Sequence, residues 1–292
     1  MTFELPVWRS LLFIPANNQG FVAKAHTRGA DAIILDLEDS IAPDHKDAAR
    51  DYLPAAAETI SSHGTDVVVR INSETATADV TSAAISQVKA LVIPKVSCAD
   101  QLQDISKLLD DLEQEKGLTT NSIRLIAQIE DVAALNNLDQ IACSSERLIA
   151  MSLGSEDFSA SASMNPNRDT LYWPNLQVVF ACRRAGILPF GFPDSITLIK
   201  DISALRQAAS LAADMGMEGA FCIHPTQVDI INNALSPTSE QIADAQMLVD
   251  EYEQSQKNGA GVFVYKGKMV DLPVVVRAKS MLAKGNKIVN KM

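Results

Sequence analysis

Residues 32–38 read Ala-Ile-Ile-Leu-Asp-Leu-Glu. The run does not alternate between apolar and polar side chains, as a strand with one wet face would. It has the near-continuous apolar character of a strand buried on both faces, in a parallel sheet covered by helices. Seven further short runs share this character: Arg9–Pro15 (RSLLFIP), Asp66–Asn72 (DVVVRIN), Ala90–Val96 (ALVIPKV), Ile123–Glu130 (IRLIAQIE), Arg147–Gly154 (RLIAMSLG), Ile187–Asp194 (ILPFGFPD) and Gly219–Pro225 (GAFCIHP). Stretches with helical periodicity separate them. Eight such units in 292 residues favour an α/β protein with a closed (β/α)8 TIM barrel over an open doubly wound sheet. The turn after the first run reads PANNQG (15–20) rather than GxGxxG, which argues against a dinucleotide-binding fold.

The pattern changes after Pro225, so residues 1–226 are assigned to the barrel and 227–292 to a C-terminal helical and hairpin extension. Thr238–Gln241 (TSEQ) has capping-box spacing and opens a helix with apolar positions at Ile242, Ala245, Leu248, Val249 and Tyr252. The helix is expected to stop at Asn258-Gly259. GVFVY and MVDL flanking KGK predict a hairpin, and a last helix starts near Pro273. So short a tail has a thin core of its own and is expected to pack on the barrel or on a neighbouring subunit. Composition excludes several function classes. The net charge of −11, from 25 basic and 36 acidic residues, opposes nucleic-acid binding. No apolar run reaches the roughly 18–20 residues that span a bilayer, and the start MTFELPVWRS is not a secretory signal. Cys98, Cys143, Cys182 and Cys222 have no CxxC spacing, which argues against disulfides and zinc and for a reducing compartment, the cytoplasm.

In a (β/α)8 barrel the active site lies at the carboxyl ends of the strands. Those ends carry Asp36, Glu38 and Asp39; Arg70 and Asn72; Lys95; Glu130; Gly154 to Asp157; Asp194; and His224. Alternation along a strand puts Asp36 with Glu38, Val68 with Arg70 and Asn72, and Gln128 with Glu130, while Leu35 and Leu37 face the helices. Carboxylates from separate strands, with few histidines and no useful cysteines, suit a hard divalent cation. Magnesium is the default, and Glu130 and Asp157 are the best pair. The turn Gly154-Ser155-Glu156-Asp157 offers backbone N–H groups to a substrate carboxylate. Arg70 would pair with a carboxylate or stabilise an enolate oxygen.

RSLLFIP, GADAIILDLEDSIAPDHKDAAR, VVVRIN, VIPKV, AQIED, SLGSEDF, IHPTQ and KMVDLP occur in an order that resembles the citrate lyase β-subunit-like proteins, malyl-CoA and citramalyl-CoA lyases among them, of the HpcH/HpaI aldolase superfamily. The resemblance spans about Arg9 to Pro273. It implies that Glu130 and Asp157 hold Mg2+, or Mn2+ in its place, that Arg70 contacts the substrate, and that Glu38 and Asp39 are acids beside the metal. It implies that Asp271 enters the site of an adjacent subunit as general acid or base, in a homotrimer or hexamer. Two segments depart from the family pattern. PANNQGFVAKA has Ala16 where relatives often have glycine and lacks an arginine, though it keeps Lys24 as a candidate for CoA phosphate. GSEDFSASASMNPNRD is serine-rich.

Structural alternatives stand beside these roles. Asp39 would cap the following helix or turn, Glu38 would be a structural partner of Arg70, and Asp271 would cap the last helix. His224 reads as a hydrogen-bonded core histidine, and a Schiff base on Lys95 is disfavoured because a metal already polarises the carbonyl. The expected function is Mg2+-dependent cleavage of a short 3-hydroxyacyl-CoA (malyl-CoA, β-methylmalyl-CoA or citramalyl-CoA) to acetyl- or propionyl-CoA and a 2-oxo acid. One alternative is the β subunit of citrate lyase acting on a carrier-protein thioester, against which the long tail with MVDLP is expected to discriminate. Another is a non-catalytic acyl-CoA-binding protein.

Overall fold

A computed structural model describes residues 4–257 and 262–291. Strands β1 (Ser10–Pro15), β2 (Ala32–Asp36), β3 (Asp66–Arg70), β4 (Val88–Ile93), β5 (Arg124–Ile129), β6 (Leu148–Leu153), β7 (Leu188–Phe190) and β8 (Ala220–Cys222) pair in parallel. The order is β7-β6-β5-β4-β3-β2-β1-β8, and a parallel bridge between Phe190 and Gly219 closes the ring. Each of the eight strands falls within one of the eight apolar runs or begins within two residues of it. Helices α1 (Gln19–Val22), α2 (Lys46–Ser61), α3 (Ala76–Ala83), α4 (Ala99–Glu115), α5 (Leu138–Ala142), α6 (Ser155–Ser161), α7 (Arg168–Ala185), α8 (Ile202–Met215) and α9 (Pro225–Ala234) fill the connections.

Two apolar layers follow from strand alternation. Leu11, Ile34, Val68, Val92, Ile126, Phe190 and Phe221 fill the barrel interior. Leu12, Ile33, Leu35, Leu37, Val69 and Leu91 face outward, against buried helix residues such as Leu53, Ile60, Leu102 and Leu109. Gly219 sits where β8 meets the first strand; a Cβ there would lie 2.0 Å from the Trp8 carbonyl oxygen, so only glycine allows the closure. Below β6, Arg147 is buried. It donates to both Glu113 carboxylate oxygens, at 2.9 and 2.7 Å, and to the Ile123 carbonyl at 2.9 Å.

The chain forms two compact units, ending and beginning at Leu235 and Ser236. The division therefore falls later than residue 226. Pro225–Ala234 is a helix, and it packs against β1 and β8 as the last barrel helix. The run GAFCIHP masks this, because Pro225 opens the helix rather than ending the unit. In the second unit, helices α10 (Ser239–Lys257) and α11 (Leu272–Lys291) pack with the hairpin β9 (Phe263–Tyr265) and β10 (Lys268–Val270) around Ala245, Val249, Val270, Val275 and Ala278. Thr238 and Gln241 form the expected reciprocal cap: Thr238 N–H donates to the Gln241 side chain at 2.8 Å, and Gln241 N–H donates to Thr238 Oγ1 at 3.1 Å. The hairpin turn, Lys266-Gly267, has φ of 46° and 76°, as a two-residue primed turn requires. Asn258-Gly259, the expected helix stop, lies outside the described residues. No described helix is long and apolar enough to cross a membrane.

Candidate active site

The parallel register sets Asp36 of β2 opposite Arg70 of β3. Both side chains face the barrel axis, one layer above the apolar interior, and they form a two-pronged ion pair. Arg70 Nε donates to Asp36 Oδ1 at 2.7 Å and Nη2 to Oδ2 at 2.8 Å. Asp36 also accepts the backbone N–H groups of Glu38 (3.0 Å) and Ser40 (3.1 Å), which shapes the loop after β2. Burial alone would push the Asp36 carboxyl up; its bonds to Arg70 more than offset that and leave it below its ordinary value. Arg70 Nη1 donates to Asp39 Oδ2 at 3.2 Å and lies 3.0 Å from Glu38 Oε2, too poorly aligned to be a hydrogen bond. The guanidinium sits 4.6 Å above the Phe13 ring. Of five N–H donors on an arginine, three are engaged by Asp36 and Asp39.

Glu130 stands just past the end of β5 and is 5% exposed. Its Oε2 accepts the backbone N–H of Lys95 at 2.8 Å, from a residue with φ of 55°. Burial, then the charges of Glu38 and Asp157, push the Glu130 carboxyl up to about 7. Glu38 is raised as well, by burial and by Asp39, against the opposing pull of Arg70. Lys95 reaches Glu38 at 3.4 Å and remains largely exposed, in keeping with an ion-pair role rather than a buried amine nucleophile. Gly154 is needed for space. A Cβ at this position would lie 2.7 Å from Glu130 Cγ and 2.9 Å from its Oε1.

A cavity of about 910 Å³ opens over these strand ends. Arg70, Asp39, Gly154, Ser155, Glu156 and Asp157 line it. Glu156 accepts the Ser195 hydroxyl at 2.7 Å and the Ser155 hydroxyl at 3.1 Å. The Gly154 N–H is spent on the Ile129 carbonyl at 2.9 Å, so Gly154 itself offers no donor to a ligand. Helical bonding begins with Phe158 N–H to Gly154 carbonyl at 3.0 Å, which leaves the first-turn N–H groups of Ser155, Glu156 and Asp157 ahead of it. Lys24 is exposed and lies outside the cavity lining, which includes Arg28, four residues further on. Asn72 does not share the site with Arg70. The strand has ended, and its side chain donates to Leu37 carbonyl and to Asp79 of α3, at 2.7 Å each. His224 is at the cavity edge and caps α9 through Nδ1, which accepts the Thr226 N–H at 3.3 Å. Asp271 belongs to the second unit, at the entry to α11.

Asp36 stands among the strand-end acids of the sequence but is given no role there, although equal offsets from the strand starts place it across from Arg70. The clamp of Ser195 on Glu156 and the approach of Arg28 depend on loops, and no spacing in the sequence signals them. Among the described residues, no group of three or more His, Cys, Asp or Glu side chains is arranged to hold a metal ion by itself. The residues nevertheless suit a cation completed by water and substrate. The Glu130 carboxyl is buried with only one backbone donor, and Gln128 Oε1 is buried without a partner.

Such a barrel, with an acid-rich and cation-deficient cluster at its carboxyl ends beneath an open cavity, is that of an enzyme. The HpcH/HpaI aldolase/citrate lyase family profile matches residues 9–225, and the chain belongs to that family; it is a carbon–carbon lyase. It is 30% identical over 284 residues to the citrate lyase subunit beta of Leuconostoc mesenteroides subsp. cremoris, covering 95% of this chain and 93% of that one. It is 32% identical over 296 residues to the L-malyl-CoA/beta-methylmalyl-CoA lyase of Rhodobacter capsulatus, covering 93% and 92%. The structure of CitE from Mycobacterium tuberculosis in complex with magnesium, acetoacetate and coenzyme A superposes with a TM-score of 0.75 at 26% identity, covering 95% and 97%. The first of these matches overturns one expectation. A citrate lyase β subunit aligned over 95% of the chain leaves fewer residues unmatched than the second unit contains, so the tail does not separate that subunit from free-standing CoA lyases.

Proposed function

We propose that the chain is a Mg2+-dependent lyase that cleaves a short 3-hydroxyacyl-CoA (malyl-CoA, β-methylmalyl-CoA or citramalyl-CoA) into acetyl- or propionyl-CoA and a 2-oxo acid. The observation that carries this reading is Glu130: a buried carboxyl, pushed up to about 7 by burial and by the charges of Glu38 and Asp157, with no side-chain cation bonded to it among the described residues. Glu130 and Asp157 would hold the metal. Bound there, Mg2+, or Mn2+ in its place, acidifies the substrate hydroxyl and polarises the oxo group. Arg70, fixed by Asp36, keeps N–H donors free to stabilise the enolate oxygen of the departing acyl-CoA. The first-turn N–H groups of Ser155 and Glu156 receive the substrate carboxylate. Glu38 and Asp39 hold Arg70 and Lys95 in place.

Asp271 supplies or removes the proton on the acyl carbon, from a second copy of the chain in a homotrimer or hexamer. Val264, Met269 and Leu272, which surround Asp271 in sequence, are exposed apolar residues suited to such a contact. The four free cysteines are consistent with a cytoplasmic enzyme. The test is cleavage of malyl-CoA, β-methylmalyl-CoA and citramalyl-CoA with and without Mg2+, reading glyoxylate or pyruvate, alongside Glu130→Ala and Asp157→Ala. Metal-dependent release lost in both variants is expected; release that survives in both refutes the metal assignment. Mixing inactive Arg70→Met and Asp271→Asn chains restores activity only if sites are shared between copies. The second reading, a citrate lyase β subunit using a carrier-protein thioester, is favoured by the near-full-length match to that subunit. Turnover of a citryl thioester with none of the three CoA substrates cleaved would establish it.

A further inference from the structure

We propose that Gln101 is a positioning residue for the metal site: it holds the kinked peptide at Lys95, whose N–H fixes the Glu130 carboxylate. The inference rests on the reading of Glu130 as a metal ligand. β4 and β5 pair one for one from Ala90 and Arg124 to Ile93 and Ala127. There the chain of β4 leaves the ladder. Pro94 has no N–H to give, and the Lys95 N–H turns to Glu130 Oε2 at 2.8 Å. The ladder resumes at Val96, whose N–H donates to the Gln128 carbonyl at 3.0 Å. Kinks of this kind re-aim a group beside an active site. Lys95 has φ of 55°, a left-handed conformation that a residue with a long side chain keeps only where its surroundings impose it.

Gln101, in the first turn of α4, supplies those surroundings. Its Oε1 accepts the N–H groups of Ser97 at 2.7 Å and Cys98 at 3.1 Å, and its Nε2 reaches the Lys95 carbonyl at 3.4 Å. A side chain that only capped the helix would stop at Cys98, the N-cap residue. Gln101 goes on to Ser97 and Lys95, which lie ahead of the helix. Asn137 and Ser73 brace the same segment, through the Ser97 carbonyl at 2.9 Å and the Pro94 carbonyl at 3.4 Å. A line of contacts thus runs from α4 through Gln101 and the Lys95 peptide to Glu130. Among the described residues, the Lys95 N–H is the one hydrogen bond that Glu130 receives. It therefore sets the plane of the carboxylate that would meet the cation, and such partners of a metal-binding carboxylate govern metal affinity.

Calorimetric titration of the full chain with Mg2+ provides the test. Gln101→Leu is expected to weaken Mg2+ binding by about 10- to 100-fold. Its circular dichroism should match the parent's, since the side chain borders a cavity of about 350 Å³ with room for the leucine methyls. Gln101→Met, closer in shape, serves if the leucine variant fails to fold. Gln101→Glu keeps an oxygen for the Ser97 and Cys98 N–H groups and restores most of the affinity, a rescue that a general loss of stability would not show. Lys95→Asn removes the ammonium but tolerates the left-handed backbone, and it binds Mg2+ no more weakly than the parent. A leucine variant that binds Mg2+ as the parent does overturns the positioning role, and so does a glutamate variant no better than the leucine one. A Lys95→Asn chain as weak as Gln101→Leu also overturns it, since the ammonium rather than the peptide would then order the site. A parent that takes up no Mg2+ and cleaves no thioester overturns the metal reading itself.

Discussion

Gly154→Ala is expected to disable the site while leaving the fold standing. Gly154 has φ of −78° and ψ of 99°, which any residue adopts, so the demand for glycine is one of space alone. The added methyl would lie 2.7 Å from Glu130 Cγ, 2.9 Å from Glu130 Oε1 and 3.1 Å from Gln128 Nε2. Carbon atoms in contact sit roughly 3.5–4.0 Å apart, so Glu130 would have to retreat by about 1 Å. It is buried, and its Oε2 is held by the Lys95 N–H at 2.8 Å. A retreat of that size breaks this bond or tilts the carboxyl. Overpacking of this kind costs about 1–3 kcal/mol of stability, and a displacement of about 1 Å in a positioned group costs on the order of 10²-fold in rate. Steady-state turnover and calorimetric Mg2+ titration should both show the loss, while circular dichroism shows the parent's spectrum. Gly20→Ala is the control, because a Cβ there meets only Asn18 Oδ1 at an ordinary 3.5 Å. Turnover and Mg2+ affinity within about threefold of the parent for Gly154→Ala, well short of the on-the-order-of-10² expectation, would refute the placement of Glu130.

Three further outcomes follow from the same geometry. Glu130 has its folded-state pKa raised to about 7 by burial and by the charges of Glu38 and Asp157, so its contribution to metal-free stability is full below the ordinary glutamate value and is lost as pH rises through about 7. Melting temperatures of chelator-treated protein should fall across that window, and Glu130→Gln should flatten the fall. Arg70→Met strands the buried Asp36 carboxylate without its partner and should destabilise by about 3–5 kcal/mol in denaturant unfolding; adding Asp36→Leu should recover stability without recovering turnover. Arg147→Met does the same to Glu113 at the amino-terminal side of the barrel and should cost a similar 3–5 kcal/mol, with kcat and KM of the folded enzyme unchanged.

The eight strands are legible because a doubly buried strand must be apolar at nearly every position, a constraint that leaves its mark whatever surrounds it. Their ends are less so. The run Ile187–Asp194 continues to look like strand, yet β7 stops at Phe190 because Gly191 turns away with φ of 135°. β8 stops at Cys222 because the next two N–H groups, of Ile223 and His224, go to the Gln227 side chain rather than to a neighbouring strand. The residues that carry the candidate chemistry are legible by position, as polar side chains at strand ends. Their partners are another matter. Asp36 looks no different from Glu38 until the register pairs it with Arg70, and Ser195 lies in a loop whose path to Glu156 no spacing encodes. Nor does the sequence show that Lys24 stays outside the cavity lining while Arg28 enters it, since Lys24 precedes and Arg28 ends a short helical turn whose direction is set by packing.

The charges at the strand ends argue against a purely structural cluster. Asp36, Glu38, Asp39, Glu130 and Asp157 bring five carboxyl groups to one end of the barrel; among the described residues, the cations ion-paired to them are Arg70 and Lys95, and Arg28 is a third cation in the cavity lining. Had the cluster served the fold alone, the commonest solution would match each buried acid to an arginine, as Arg9 does for Asp31 and Arg147 for Glu113. Those pairs show that this chain uses the device elsewhere. At the site the arginine is instead shared among three acids, and among the described residues Glu130 receives only a backbone N–H. Holding Glu130 as a neutral acid would relieve the repulsion, but it would leave Asp157, Glu38 and Asp39 still outnumbering their partners. A divalent cation relieves all of them together, and the space for it is kept open by a glycine that the backbone conformation does not require. The deficit of positive charge is therefore better read as a place for a bound cation than as a defect of packing.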